Sequence, residues 1–201
     1  MAATSAGGRT SSRSALALLA LVILVVVWFL VGPSPYEKQS PPASQSPPAQ
    51  APTQSAADQA RSISSLLADA KDSRLALVSA VADVDGCRDS QGAISTLSRV
   101  AKERQNELSR AYRLTVDQLP NGEQLQQALE QAFSASLTAD QRFLAWAQTV
   151  AGCSGTAPHT ENYQTAAQAS QQATAAKQNF VSMWNSVAGS YLLPTVREQD
   201  I

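Results

Sequence analysis

The sequence predicts an all-α protein with a single N-terminal transmembrane helix, a Pro-rich disordered stalk and an up-down-up-down four-helix bundle. Three observations predict it. A charge-free apolar run covers Ala15–Val31, and seven prolines crowd the residues from Gly32 to Ser55. The remainder is rich in Ala, Gln, Leu, Ser and Glu, and repeats its apolar residues at three- and four-residue spacing with no strand-like alternation.

At about 1.5 Å per residue the apolar run spans roughly 26 Å, close to the hydrocarbon thickness of a bilayer, and Ser14 and Gly32 extend it slightly. Arg9 and Arg13 are the only charges of this N-terminal stretch and both precede the run. The positive-inside bias therefore expects residues 1–14 as a cytoplasmic stub, 15–32 as a single-pass anchor in the lipid bilayer of the cell membrane, and the rest as extracytoplasmic. A cleavable signal peptide shares this charge pattern. Against it, the run is longer than an h-region of about 7–15 residues and ends Leu30-Val31-Gly32-Pro33-Ser34-Pro35, with no small-x-small cleavage site.

Residues 33–55 combine Pro with Ser, Gln and Ala and offer little to bury, so they read as an extended, partly polyproline II linker. The bundle is expected over 56–193. Its first helix, about 56–84, carries Ile63, Leu66, Leu67, Ala70, Leu77, Val78, Val81 and Val84, with Ser55 and Asp58 as a capping pair. The second, about 90–118, carries Ile94, Leu97, Ala101, Leu108, Ala111 and Tyr112 before Pro120-Asn121-Gly122 breaks the chain. Asn121 with Gln124 then caps the third, about 122–151, which presents Leu125, Leu129, Phe133, Leu137, Phe143, Leu144, Ala147 and Val150. The fourth, about 160–190, follows the Gly155–Pro158 turn and carries Tyr163, Ala166, Ala169, Ala173, Phe180, Trp184 and Val187, leaving 194–201 as a tail. Four such helices on short loops suit an up-down-up-down bundle, with Phe143, Trp146 and Trp184 as packing anchors.

Charge narrows the function. Beyond residue 32, thirteen Lys and Arg face sixteen Asp and Glu, a net of about −3 with both signs mixed along every helix. No basic stripe is available for nucleic acid. The run Arg99, Lys102, Arg104 is interleaved with Glu103 and Glu107, and reads as a solvated face with i to i+4 pairing. The single histidine, His159, sits in a Gly/Pro turn and reads as a surface loop residue. It leaves no multi-histidine metal site, and no phosphate loop, nucleophile elbow or H-E-x-x-H occurs. The Asp83, Asp85, Asp89 cluster lacks the spacing and Gly of an EF-hand loop. The expectation is a non-enzyme with no cofactor and no metal.

Two features concern the core. Cys87 and Cys153 are the only cysteines, both beyond the anchor, and an oxidising compartment favours their pairing. In an up-down-up-down bundle the first and third connections share an end, so the two cysteines can meet there. Charged residues also interrupt each apolar stripe near its middle: Arg74, Arg104, Asp140 and Lys177. Measured from the cysteine end, the first three fall at a similar depth of roughly 15–21 Å and can form a polar core layer, with Asp140 accepting hydrogen bonds from Arg74 or Arg104. The competing reading makes them rim residues, with helix phases one position off.

Two functions fit. The first is a membrane-tethered scaffold or adaptor module of the bacterial envelope that docks an envelope protein partner. The second is an extracytoplasmic ligand-sensing bundle acting through a partner protein. Over about 56–190 the pattern resembles in architecture the periplasmic sensor domains of bacterial chemoreceptors, on no shared motif. It departs from them in having one membrane segment and no cytoplasmic signalling region, so the docking module ranks first.

Overall fold

Ser55 is extended at φ −66°, ψ 156°, and its hydroxyl accepts from the Asp58 N–H, which starts the first of four helices. The structure, a computed structural model, describes residues 53–201; the expected stub 1–14, the anchor 15–32 and nearly all of the linker 33–55 lie outside them. Helix α1 is Ala56–Asp85, α2 Ser90–Ala111, α3 Gly122–Thr149 and α4 Glu161–Ser190, and a short 3-10 turn, Glu198–Asp200, ends the chain. Among the described residues there is no strand, and no helix is long and apolar enough to cross a membrane.

Each helix packs on the one before it, and the core shows their alternating direction. One apolar cluster joins the N-terminal half of α1 (Ile63, Leu66, Leu67) to the C-terminal half of α2 (Leu108, Ala111), the N-terminal half of α3 (Leu125, Leu129, Phe133) and the C-terminal half of α4 (Phe180, Trp184). A second joins the opposite halves, around Leu77, Leu97, Val100, Trp146 and Val150. That is the order of an up-down-up-down four-helix bundle. Of the helices that neighbour each other around the bundle, α1 and α4 approach least closely, and the C-terminal 3-10 turn packs against both, so the segment expected as a tail lies over that seam. Ile201 is fully buried in the first cluster, and Asn185 holds the returning segment by two hydrogen bonds of 3.0 Å to the Val196 main chain.

Three expectations need correction. Helix α2 ends at Ala111, not near 118, because Val116 and Leu119 turn back into the core; Gln126 Nε2 donates to the Ala111 carbonyl at 2.8 Å. The fully buried Gln59 clasps the returning loop, donating to Asp117 at 2.6 Å and accepting from the Gln118 N–H at 3.0 Å. Asn121 adopts φ 52° and its side chain makes no cap bond. What starts α3 is steric: a Cβ on Gly122 would sit 1.9 Å from the Val116 carbonyl oxygen, so the close turn needs glycine. Finally, the stripe is shifted on part of α2: Ala93, Val100, Arg104 and Glu107 join the expected Leu97, Leu108 and Ala111 in the buried line, while Tyr112 is exposed; on α1 the expected stripe is buried except for Val78, which faces outward, and the half-buried Val81.

The end opposite the chain entry is tied by the first and third connections. Cys87 and Cys153 are disulfide-bonded with Cα atoms 5.5 Å apart. Ala157 N–H donates to the Asp85 carbonyl at 2.8 Å, and Trp146 Nε1 donates to the Pro158 carbonyl at 3.0 Å. Closing a loop of this span restricts the unfolded chain by about 4 kcal/mol in the chain-entropy model. Reduction, or Cys87→Ser, is expected to lower unfolding free energy by about 2–4 kcal/mol in urea denaturation. A loss below about 0.5 kcal/mol would mean the bond adds no constraint.

Candidate functional site: a buried ionic layer

Between the two apolar clusters the helices present polar side chains to one another. Ser73 comes from α1, Arg104 and Glu107 from α2, Ser136 and Asp140 from α3 and Lys177 from α4; all are buried, and Arg104 has no exposed surface at all. Periodicity puts them there. On α2, Leu97, Val100, Arg104, Glu107 and Ala111 follow three- and four-residue steps, so the face that buries Leu97 must also bury Arg104. The same holds on α4 for Ala173, Lys177, Phe180 and Trp184.

Arg104 is the centre. Its Nη1 donates to Glu107 at 2.7 Å, its Nε reaches Asp140 at 3.4 Å, and its guanidinium lies over the Phe133 ring at 5.5 Å from the centroid. Its Nη2 is buried and has no partner. Glu107 also accepts from the Ser73 hydroxyl at 2.7 Å, which links α1 to α2 through the layer. Lys177 Nζ donates to the Ile201 main-chain oxygen. Arg74, partly exposed at the rim, makes no hydrogen bond or ion pair among the described residues.

The electrostatics follow from burial. Desolvation raises Asp140 above the usual carboxylate range, opposed by Arg104, and lowers Arg74. Lys177 is pushed down to about 7 by burial, with Arg104 and Arg74 adding to the shift and Asp140 and Glu107 opposing it.

Of the residues expected in the layer, the structure therefore brings Arg104 and Asp140 together and leaves Arg74 at the rim. Glu107 corrects the reading of a solvated face: Arg99 and Glu103 pair on the surface at 2.7 Å, whereas Arg104 and Glu107 turn inward. The signal for Glu107 was its three-residue step from Arg104 on the line through Leu97 and Val100. A cavity of about 110 Å³ adjoins the layer, lined by Arg74, Arg104, Asp140, Lys177 and, from the C-terminal turn, Glu198 and Gln199.

Other polar groups are already engaged. Asp83 pairs with Arg88 at 3.2 Å, Asp89 accepts from the Gly92 N–H at the start of α2, and Asp85 bonds His159 at 2.7 Å. His159 is half-exposed, as a loop residue would be, but it also stacks on Tyr163 with centroids 3.7 Å apart. No group of His, Cys, Asp and Glu able to hold a metal occurs among the described residues. No protein-family model, curated protein or solved structure matches this chain.

Removing Asp140 leaves Arg104 short of one counter-charge in a dry layer. Asp140→Ala is expected to lower unfolding free energy by about 3 kcal/mol, against about 0.5 kcal/mol for an exposed site; urea denaturation reads the difference. Lys177 sets a pH dependence. Its folded value of about 7 lies below that of the unfolded chain, so the native state releases a proton that the unfolded state keeps, and stability rises with pH above 7. Between pH 7 and 9 the gain is about 2 kcal/mol, and Lys177→Met should flatten it. Parallel curves for the two proteins would place that pH dependence elsewhere.

Proposed function

We propose that this chain is a non-enzymatic, membrane-tethered interaction module of the bacterial cell envelope. Residues 15–32 anchor it in the bilayer, 33–55 act as a spacer, and the four-helix bundle docks a protein partner outside the membrane. The observation that carries the reading is an apolar ridge on α1: Leu75 is 61% exposed and Val78 51%. The ridge borders a groove of about 250 Å³ between α1 and α4, whose floor of Val78, Val81, Phe143 and Tyr163 is flanked by the charged Arg74 and Asp85. Such a groove beside exposed aliphatic residues offers a partner helix an apolar seat. The Cys87–Cys153 bond supports an oxidising compartment. The non-enzymatic part rests on the sequence, with its one histidine and no nucleophile or phosphate motif.

In-cell photocrosslinking tests the docking face. A crosslinker at Val78 should give a discrete protein adduct that a crosslinker at the exposed Gln168 does not. Leu75→Asp, placed beside the Val78 probe, should reduce adduct yield by at least about tenfold, the factor for a loss of ~1.4 kcal/mol, with the melting temperature unchanged. Equal adducts from Val78 and Gln168, or adducts indifferent to Leu75→Asp, would overturn the proposal.

A further inference from the structure

We infer that the buried ionic layer is a binding site for one small oxyanion, of the size of sulfate, phosphate or acetate, held by Arg74, Arg104 and Lys177. The inference does not rest on the docking reading, although Arg74 lines both the layer's cavity and the groove beside Val78. It starts from the balance of donors and acceptors. Glu107 is occupied by Arg104 and Ser73, and Asp140 faces the Arg104 Nε. The donors are less used: Arg104 Nη2 is buried without a partner, Arg74 has none, and Lys177 spends one of its three N–H groups on Ile201. An acceptor-only species matches that surplus, because a metal cation or a further donor would add to it.

Charge and volume narrow the class. The charged groups lining the cavity are Arg74, Arg104 and Lys177 against Asp140 and Glu198, and Glu107, paired to Arg104, brings the layer to three charges of each sign with every group ionised. Burial draws Asp140 towards its neutral form, which leaves the layer one positive charge in excess where Lys177 is protonated. About 110 Å³ is several times the ~10–15 Å³ that one water occupies, and well below the ~300 Å³ at which pockets for drug-sized ligands begin. The ligand has few heavy atoms. Arg104, fixed by Glu107 and by the Phe133 ring, supplies a rigid donor, and a guanidinium presents the planar fork that suits carboxylate, sulfate and phosphate oxygens. The rim position of Arg74 opens a route in along the seam between α1 and α4, which the C-terminal turn covers.

Binding of an anion must favour the protonated form of Lys177. The groups that face Lys177 are Arg74 from α1, Arg104 and Glu107 from α2, Asp140 from α3, Glu198 from the C-terminal turn and the Ile201 main-chain oxygen that accepts its hydrogen bond. Affinity should therefore be higher at pH 6 than at pH 8.5.

The test is isothermal titration calorimetry on the full-length, oxidised chain in detergent, with sodium sulfate, phosphate and acetate as separate titrants at an ionic strength held constant with sodium chloride. One saturable site is expected for at least one of the three, and which one binds distinguishes an inorganic oxyanion from a carboxylate. Arg74→Gln should weaken it by about tenfold, the loss of one charge-assisted hydrogen bond. Arg74 has no partner inside the protein, so this variant should fold, as circular dichroism would check. With sulfate, whose charge is constant over this range, affinity should fall from pH 6 to pH 8.5, and Lys177→Met should remove that dependence. Heats indistinguishable from added chloride for all three titrants, or wild-type affinity in Arg74→Gln, would overturn the inference. The docking face is read separately with Leu75→Ser, which adds no charge beside Arg74 and should leave anion affinity intact.

Discussion

The fold is organised around a guanidinium buried among the helices. Arg104 cannot leave its charge unmatched there, so Glu107 on its own helix and Asp140 on the next must sit where they do. That requirement fixes the axial register of α2 against α3, and the bond from Ser73 to Glu107 extends it to α1. An apolar layer would tolerate a slip by one helical turn. An ionic layer does not, because a slip would press Arg104 into aliphatic neighbours and strand Asp140. Register is bought with stability, in the same sense as polar residues at core positions of coiled coils.

The layer also divides the core, and the two halves are closed by different means. On one side the connections are covalently joined through Cys87 and Cys153 and reinforced by Trp146 and Asp85. On the other, polar clasps take over: Gln59 holds the loop after α2, and Asn185 holds the C-terminal segment. The weak seam between α1 and α4 falls where the C-terminal turn lies, and Ile201 fills the space that a closer helix pair would have occupied.

Much of this was legible in the sequence. Four helices, their order and the meeting of the cysteines followed from period, punctuation and the parity of an antiparallel bundle. Arg104 and Asp140 were visible as charges on apolar lines. What failed is physically specific. The alternation of Arg99, Lys102 and Arg104 with Glu103 and Glu107 reads as a solvated, paired face, yet the three-residue step from Arg104 carries Glu107 inward. The phase on α2 was drawn through Ile94 and Ala101, one position from the buried line through Ala93 and Val100. Such an error is easy where small and polar residues dilute the pattern. The role of Ile201 had no local signal, since a lone apolar residue after a polar stretch reads as an end, and only the separation of α1 from α4 gives it a place.

The position of the ridge relative to the chain entry has a mechanical consequence. The chain enters at Ser55, at the end remote from the disulfide, and Leu75 lies about 20 residues, or ~30 Å, along α1. A pulling force between the preceding segment and anything gripping the ridge would run through this one stretch of helix. The load is then shear along α1 against its neighbours, resisted by the Gln59 clasp and the Ser73–Glu107 bond, while the cross-linked far end carries no tension.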